Sequence, residues 1–373
     1  QSHQTELKCE FLTMNCYITR TGSYLPGAAV DNENMCQFIG NLDGETEIRD
    51  KILRMNGIKQ RYYALDNQQK ATHDVYELAS LAAVECIQNF NEKSSIGYLS
   101  AGTTNAPLVA PGLASILHSR LAQKKLINTS LEINSNSGIC TSGSQSIVNA
   151  CRAVDNGYHD TALCVGVDQP SEILKSSVIK VPSDRESHED IKNSKWFMSV
   201  FLRFMLSDGA GAFLIQNKPN PEGISFKVNW TYSESFAHEA PLCMKLESRS
   251  LLLSQDVNIL NRFMGLPRHS AANALKRYNE NLTDYKIILP HLSSFFFRRL
   301  ITKTIRELGT SSDGKVDYWT NLEYAGNTGA ASIFIMLDEY AKNNNLKNGD
   351  KILLFIPESG QFNFVYISLT LTK

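Results

Sequence analysis

The sequence predicts an α/β fold built from two halves of similar layout. Three observations predict it. Short apolar strand patterns alternate with helical ones along the chain. A polar segment carrying two prolines and a glycine, 217–223, divides the chain near its middle. The landmarks on either side of it fall at matched intervals: Thr103 and Cys140 are 37 positions apart, His291 and Asn327 are 36 apart. The distance from Cys140 to Asp160 is 20, and from Asn327 to Asp350 is 23. Each half reads as strand, polar loop, helix, loop, helix and buried strand, a degenerate internal repeat.

The elements follow in order. Regular pattern starts at Tyr17-Ile18-Thr19, so 1–14 is expected to be an N-terminal extension, with Met14 as a candidate natural start. The first half is placed at 15–217 and the second at 218–373. Over 74–90, Val75, Leu78, Ala82, Cys86 and Phe90 step by three or four residues, which gives a helix with one apolar face. Residues 96–100 form a strand, and Pro111 opens a helix to 126. A strand holding Leu131 and Ile133 leads through small polar residues to Cys140 and a helix that Asn156-Gly157 stops. Residues 162–167 then read as a buried strand. In the second half, 285–289 is a strand ending in Pro290-His291, and 295–308 is a helix. Asn327 precedes a helix through 340, and 351–356 is a buried strand.

Composition excludes several classes. With 37 basic and 38 acidic residues and no basic stripe, the chain is not a nucleic-acid binder. Its longest apolar run falls well short of a membrane span. The eight cysteines are scattered and form no Cys-x-x-Cys pair, so a reduced, cytoplasmic protein with no structural metal is expected. The N-terminus lacks the basic-then-apolar layout of a signal peptide.

Among those cysteines Cys140 stands apart. Its position puts a thiol at a helix entrance, where unpaired N–H groups and a partial positive charge favour thiolate over thiol. A thiolate there is a candidate nucleophile, and the adjacent N–H groups are candidate oxyanion donors. If the halves pack about a pseudo-dyad, Cys140 and Asn327 occupy equivalent helix entrances and His291 lies at a strand end beside both. A Cys–His–Asn set supports acyl transfer: the thiolate takes an acyl group from a thioester, and His and Asn stabilise the enolate of a second thioester.

These residues lie in motifs that resemble the β-ketoacyl-acyl-carrier-protein synthase III family. In order they are Thr21-Gly22-Ser23-Tyr24-Leu25-Pro26, Asn56-Gly57-Ile58 ahead of Arg61, Gly102-Thr103-Thr104, the Cys140 turn, and Val165-Gly166-Val167-Asp168. Ser207-Asp208-Gly209-Ala210-Gly211-Ala212, Pro290-His291 and Gly326-Asn327-Thr328-Gly329 follow. The resemblance implies the thiolase fold, two βαβαβαββ halves in an αβαβα sandwich. It implies Cys140 as nucleophile, His291 and Asn327 as the enolate-stabilising pair, and the backbone N–H groups of Cys140 and Gly360 as the oxyanion hole. It also implies a homodimer, acyl carrier protein as partner, and acyl thioesters of carrier protein or coenzyme A as substrates without a further cofactor.

The chain departs from the family pattern in ways that bear on substrate. The nucleophile turn reads Cys140-Thr141-Ser142-Gly143, closer to thiolases, and the stretch after His291 is Leu292-Ser293-Ser294. The tryptophan that stacks on coenzyme A adenine is absent ahead of Asn56, which favours a carrier-bound acyl chain. Ala110 stands where an aromatic commonly narrows the acyl tunnel, so medium or long chains are expected, with Thr103 and Phe204 also in the tunnel. Tyr62-Tyr63-Ala64 and Arg203-Phe204-Met205-Leu206 are similar to a side branch, the ketosynthases of dialkylresorcinol and flexirubin-type pathways, which join two fatty thioesters and close a ring.

Plainer readings compete at several places. Asn327 caps its helix equally well. Arg298 and Arg299, with Lys303 and Arg306, form either a carrier-protein docking face or an ordinary solvated helix face. The segment 171–203 is either a cap over the tunnel or a surface excursion. An acyltransferase to a hydroxyl or amine acceptor and a non-catalytic partner subunit remain as alternatives to a condensing enzyme.

Overall fold

A computed structural model describes residues 13–309 and 316–373. Ten strands form one mixed sheet. In chain order they are β1 (Tyr17–Tyr24), β2 (Ile96–Thr103), β3 (Glu132–Ser137), β4 (Thr161–Asp168), β5 (Gly209–Gln216), β6 (Ser225–Ser235), β7 (Ile287–Pro290), β8 (Asp317–Tyr318), β9 (Lys351–Glu358) and β10 (Asn363–Thr372). Their order across the sheet is β8-β7-β9-β10-β6-β1-β5-β4-β2-β3. From the centre outward, the series β1-β5-β4-β2-β3 and β6-β10-β9-β7-β8 match step for step: two antiparallel pairings, then two parallel ones. The halves join where β1 meets β6 antiparallel, with Tyr17 opposite Lys227 and Ile18 opposite Phe226.

Helices complete five layers. Val75–Ile87 covers β1, β5 and β4 from outside and packs on Leu113–Gln123. Leu266–Tyr278 covers β10 and β6 on the other flank. Between the two half-sheets run Thr141–Asp155 and Ser332–Asn343; the first touches β2 and β4 on one side and β9 and β10 on the other. This αβαβα arrangement is the fold the sequence implies. Strands β4 and β5 are buried at every position, as central strands covered on both faces must be.

Local signals explain the helix ends. Asp74 accepts a hydrogen bond from the Glu77 N–H at 2.7 Å, the side-chain cap that starts Val75–Ile87 and is worth roughly 1 kcal/mol. Gly143 lies where the middle helices meet: a Cβ there would come within 1.9 Å of the Ala330 carbonyl oxygen, so only glycine permits the approach. That contact brings the Cys140 turn against the turn that follows Asn327.

The expected boundaries shift in two places that matter. The helix expected directly after Asn327 begins as a 3-10 turn, Gly329–Ala331, and turns α-helical only at Ser332, so Asn327 lies in the loop ahead of its helix rather than at the helix entrance. The region 171–203 is a surface excursion only in its middle, where 180–193 are exposed or half-buried. It carries the helix Lys195–Met205, buried along nearly its whole length with residues of both halves. The extension 1–14 falls almost wholly outside the described residues.

Candidate active site

Cys140 is the residue immediately before Thr141–Asp155, 8% exposed, on the wall of a large cavity. His291 follows β7, and its backbone N–H donates to the Phe355 carbonyl at 2.7 Å, which fixes it beside β9. The ring is buried, and neither ring nitrogen has a partner among the described residues. Burial alone pulls its pKa down to about 4, so the imidazole is neutral at pH 7. Asn327 is held by its backbone to Met205 and Ser207, and its Oδ1 accepts from the Gly329 N–H at 2.9 Å. That bond leaves the amide Nδ2 available as a donor. Cys140, His291 and Asn327 all line the same cavity.

Asp168 locks the halves together behind them. Oδ1 accepts from Thr103 Oγ1 (3.0 Å) and the Thr104 N–H (2.7 Å); Oδ2 accepts from Thr104 Oγ1 (2.8 Å) and the Ala330 N–H (2.7 Å). Burial, opposed by these bonds, pushes its carboxyl up to about 6. Gly329 adopts φ +55°, and a Cβ there would meet Asp168 Oδ2 at 2.1 Å, so this turn also requires glycine.

One expectation reverses. The helix entrance does not lower the Cys140 pKa. Burial first, then the carboxylates of Glu358 and Asp168, push the thiol well above its ordinary range. Beside burial, Glu358, at the end of β9, already takes entrance N–H groups: its Oε2 accepts from Ile139 N–H (3.1 Å), Thr141 N–H (2.9 Å) and Thr141 Oγ1 (2.6 Å). The Cys140 and Gly360 N–H groups have no hydrogen-bond partner among the described residues. Gly360 itself is buried behind Ile139, outside the cavity wall that its neighbours Glu358 and Ser359 form.

The cavity has a volume of about 670 Å³ and apolar walls. Phe197, Phe201 and Met205, spaced by four, form one side, with Met198 and Leu202 beside them. Val257, Leu260 and Met264 form another, and Phe296, Leu300 and Ile301 a third. All three tunnel residues expected from the sequence lie elsewhere. Phe204, one heptad after Phe197, is fully buried in the core and does not line the cavity. Thr103 is taken up by Asp168, while its neighbour Thr104 reaches the cavity. Ala110 is exposed on the loop before Leu113–Gln123, next to the fully exposed Val109. Arg298 and Arg299 are exposed on the first turn of Arg298–Leu308, the helix whose Leu300 and Ile301 line the cavity. The Arg298 guanidinium lies 4.5 Å from the Phe295 ring centroid.

The fold and this cavity are similar to those of thiolase-type condensing enzymes, which are acyltransferases. Residues 275–357 match the family 3-Oxoacyl-[acyl-carrier-protein (ACP)] synthase III C terminal. The chain is 25% identical over 344 residues, 91% of its length and 94% of the relative's, to the β-ketoacyl-[acyl-carrier-protein] synthase III of Staphylococcus aureus strain JH1. Solved structures share the fold: Pseudomonas aeruginosa PAO1 FabH, a 3-oxoacyl-(acyl carrier protein) synthase III, has TM-score 0.70 at 20% identity, covering 96% of this chain and 98% of that one. A variant of Xanthomonas campestris OleA has TM-score 0.76 at 18% identity, covering 96% and 97%. AbyA1, a tetronic acid condensing enzyme, has TM-score 0.74 at 16% identity, covering 95% and 99%. Among the described residues no helix is long and apolar enough to cross a membrane.

Proposed function

We propose that this enzyme joins two fatty thioesters, taking the first acyl group onto Cys140 and using His291 and Asn327 to hold the enolate oxygen of the second. The observation that carries the reading is the largely apolar cavity that Cys140, His291 and Asn327 line together. A cavity of about 670 Å³ is far larger than an acetyl primer needs, which favours medium or long chains. The chain delivered by acyl carrier protein enters beside Arg298 and Arg299, which meet its acidic surface. The exposed Leu108, Val109 and Ile133 lie near the free edge formed by β3 and suit a homodimer contact. The dialkylresorcinol and flexirubin-type branch is the pathway class this fits, as an enzyme that couples two long acyl groups.

The neutral His291 ring and the Asn327 Nδ2 act as donors to the developing enolate oxygen, so neither needs a charge of its own. The step that loads Cys140 is separate from the one they serve. The test is intact-mass spectrometry after incubation with fatty acyl-carrier protein, followed by addition of a β-keto thioester and detection of a carbon–carbon product. An acyl adduct and that product are expected; no adduct on the wild-type chain overturns the reading. Loading without carbon–carbon product, but with transfer to a hydroxyl or amine, identifies an acyltransferase instead.

Two further outcomes follow. His291→Ala and Asn327→Ala are each expected to keep loading but slow condensation about 10²–10³-fold, the scale of one lost oxyanion donor. Retained condensation in both variants would remove the proposed enolate site. Because the His291 pKa is pulled down to about 4, its neutral form persists through mildly acidic conditions. Condensation by preloaded enzyme is therefore expected to show no acidic limb near the ordinary histidine value of about 6.5. A pH–rate profile from 5 to 8 checks this.

A further inference from the structure

Glu358 lies against the nucleophile turn in a way that neither the loading step nor the enolate site explains. The two backbone N–H groups it binds, of Ile139 and Thr141, flank Cys140 on either side, and the Thr141 hydroxyl adds a third donor to the same oxygen. All three bonds go to Oε2, and Glu358 forms part of the cavity wall. The carboxylate thus occupies the positive pole of the helix Thr141–Asp155 at the place where a thiolate on Cys140 would otherwise draw on it.

The other charged and titratable groups around Cys140 do not offset this. Asp168, from β4, is a second carboxyl. His291, from the end of β7, is neutral. The cavity's lysines, Lys192 and Lys245, already face carboxylates of their own, Asp190 and Glu247. No cation therefore stands by to support a resting thiolate among the described cavity residues.

We propose that Glu358 is a positioning residue that keeps Cys140 in its thiol form, by claiming the helix-entrance donors on both sides of it and placing a negative charge beside the sulfur. The nucleophile is latent at neutral pH and shielded from alkylation and oxidation; during attack on a bound thioester the bond from sulfur to the acyl carbon forms as the donor's C–S bond breaks, and the Cys140 proton leaves on the departing thiol. This rests on Cys140 being the nucleophile, as proposed above.

The test measures carboxamidomethylation of the full-length protein by iodoacetamide from pH 6 to 10, read by intact mass, with Cys140→Ala identifying which adduct is Cys140. In wild type the midpoint for Cys140 is expected above the ordinary thiol value of about 8.5. In Glu358→Gln, which keeps an acceptor oxygen but loses the charge, the midpoint is expected to fall by at least about one pH unit, making alkylation at pH 7.5 roughly tenfold faster. Identical midpoints in the two proteins overturn the proposal; a purely structural role would lower stability without moving the midpoint. Should Glu358→Gln fail to fold, a wild-type midpoint at or below the ordinary value still overturns the proposal, and Glu358→Ala is measured in its place. Alkylation needs no acyl donor. Failure to load an acyl group with the expected alkylation curves would therefore count against the condensing function and leave this inference standing.

Discussion

Cys140→Ala is expected to abolish the acyl adduct and reduce condensation by on the order of 10⁴–10⁶-fold, the scale seen when a nucleophile is removed from an enzyme that works by covalent catalysis. The substitution removes one sulfur from a site whose geometry is set by other groups. Glu358 holds the turn through the backbone of Ile139 and Thr141, and Gly143 sets the approach to Ala330, so the fold has no need of the thiol. The buried volume lost is small, and a cost of about 1 kcal/mol or less in stability is expected. Intact mass and a product assay on the same preparation, with a melting curve to show that it is folded, check this. Full product formation by the alanine variant would transfer the chemistry to another residue.

Arg203→Ala is expected to destabilise the protein by about 3–5 kcal/mol, the cost of stripping one partner from a buried ion pair. Arg203 and Glu45 are 0% and 1% exposed and 2.6 Å apart. The guanidinium also donates to the carbonyls of Leu174, Ile39 and Gly40. Removal leaves a charged carboxylate and three carbonyls without their donor, inside a core of Phe and Leu side chains. Arg203→Lys restores the charge but only one donor head, so it is expected to recover a minor part. Replacing both partners with apolar residues of similar size is expected to be far milder than either single change. Denaturant unfolding of the set measures this. Arg203 sits on the helix whose opposite side walls the cavity, so the destabilised variants are also expected to lose selectivity for long chains.

Much of the fold was legible in the chain because its central strands are buried on both faces and carry unbroken apolar runs, as in β4 and β5. The meeting of Cys140, His291 and Asn327 in one cavity was legible from matched spacing on either side of the linker. The tunnel walls were not. Every residue of Lys195–Met205 after the first is buried, so no apolar periodicity shows which side faces a ligand and which faces the core. Only packing shows that Phe197, Phe201 and Met205 line the cavity while Phe204, a heptad after Phe197, is taken up by the core. Glu358 was hidden for a different reason. Its partners Ile139 and Thr141 are 219 and 217 positions distant, and two of the three bonds are to backbone, which leaves little side-chain signature. The consequence was a thiol read as activated when its helix entrance is already occupied.

The position of β10 bears on how the molecule comes into being. The last strand in the chain, Asn363–Thr372, is not at an edge; it runs between β9 and β6 and is hydrogen-bonded along both sides. Until it emerges from the ribosome, β6 and β9 each present an open edge, the kind that pairs with foreign strands. The first half has all five of its strands well before then. The enzyme is therefore expected to assemble in two stages, a first half that forms early and a second that closes only once β10 has been made. During that interval the nascent chain depends on prompt completion, or on a chaperone, to avoid aggregation.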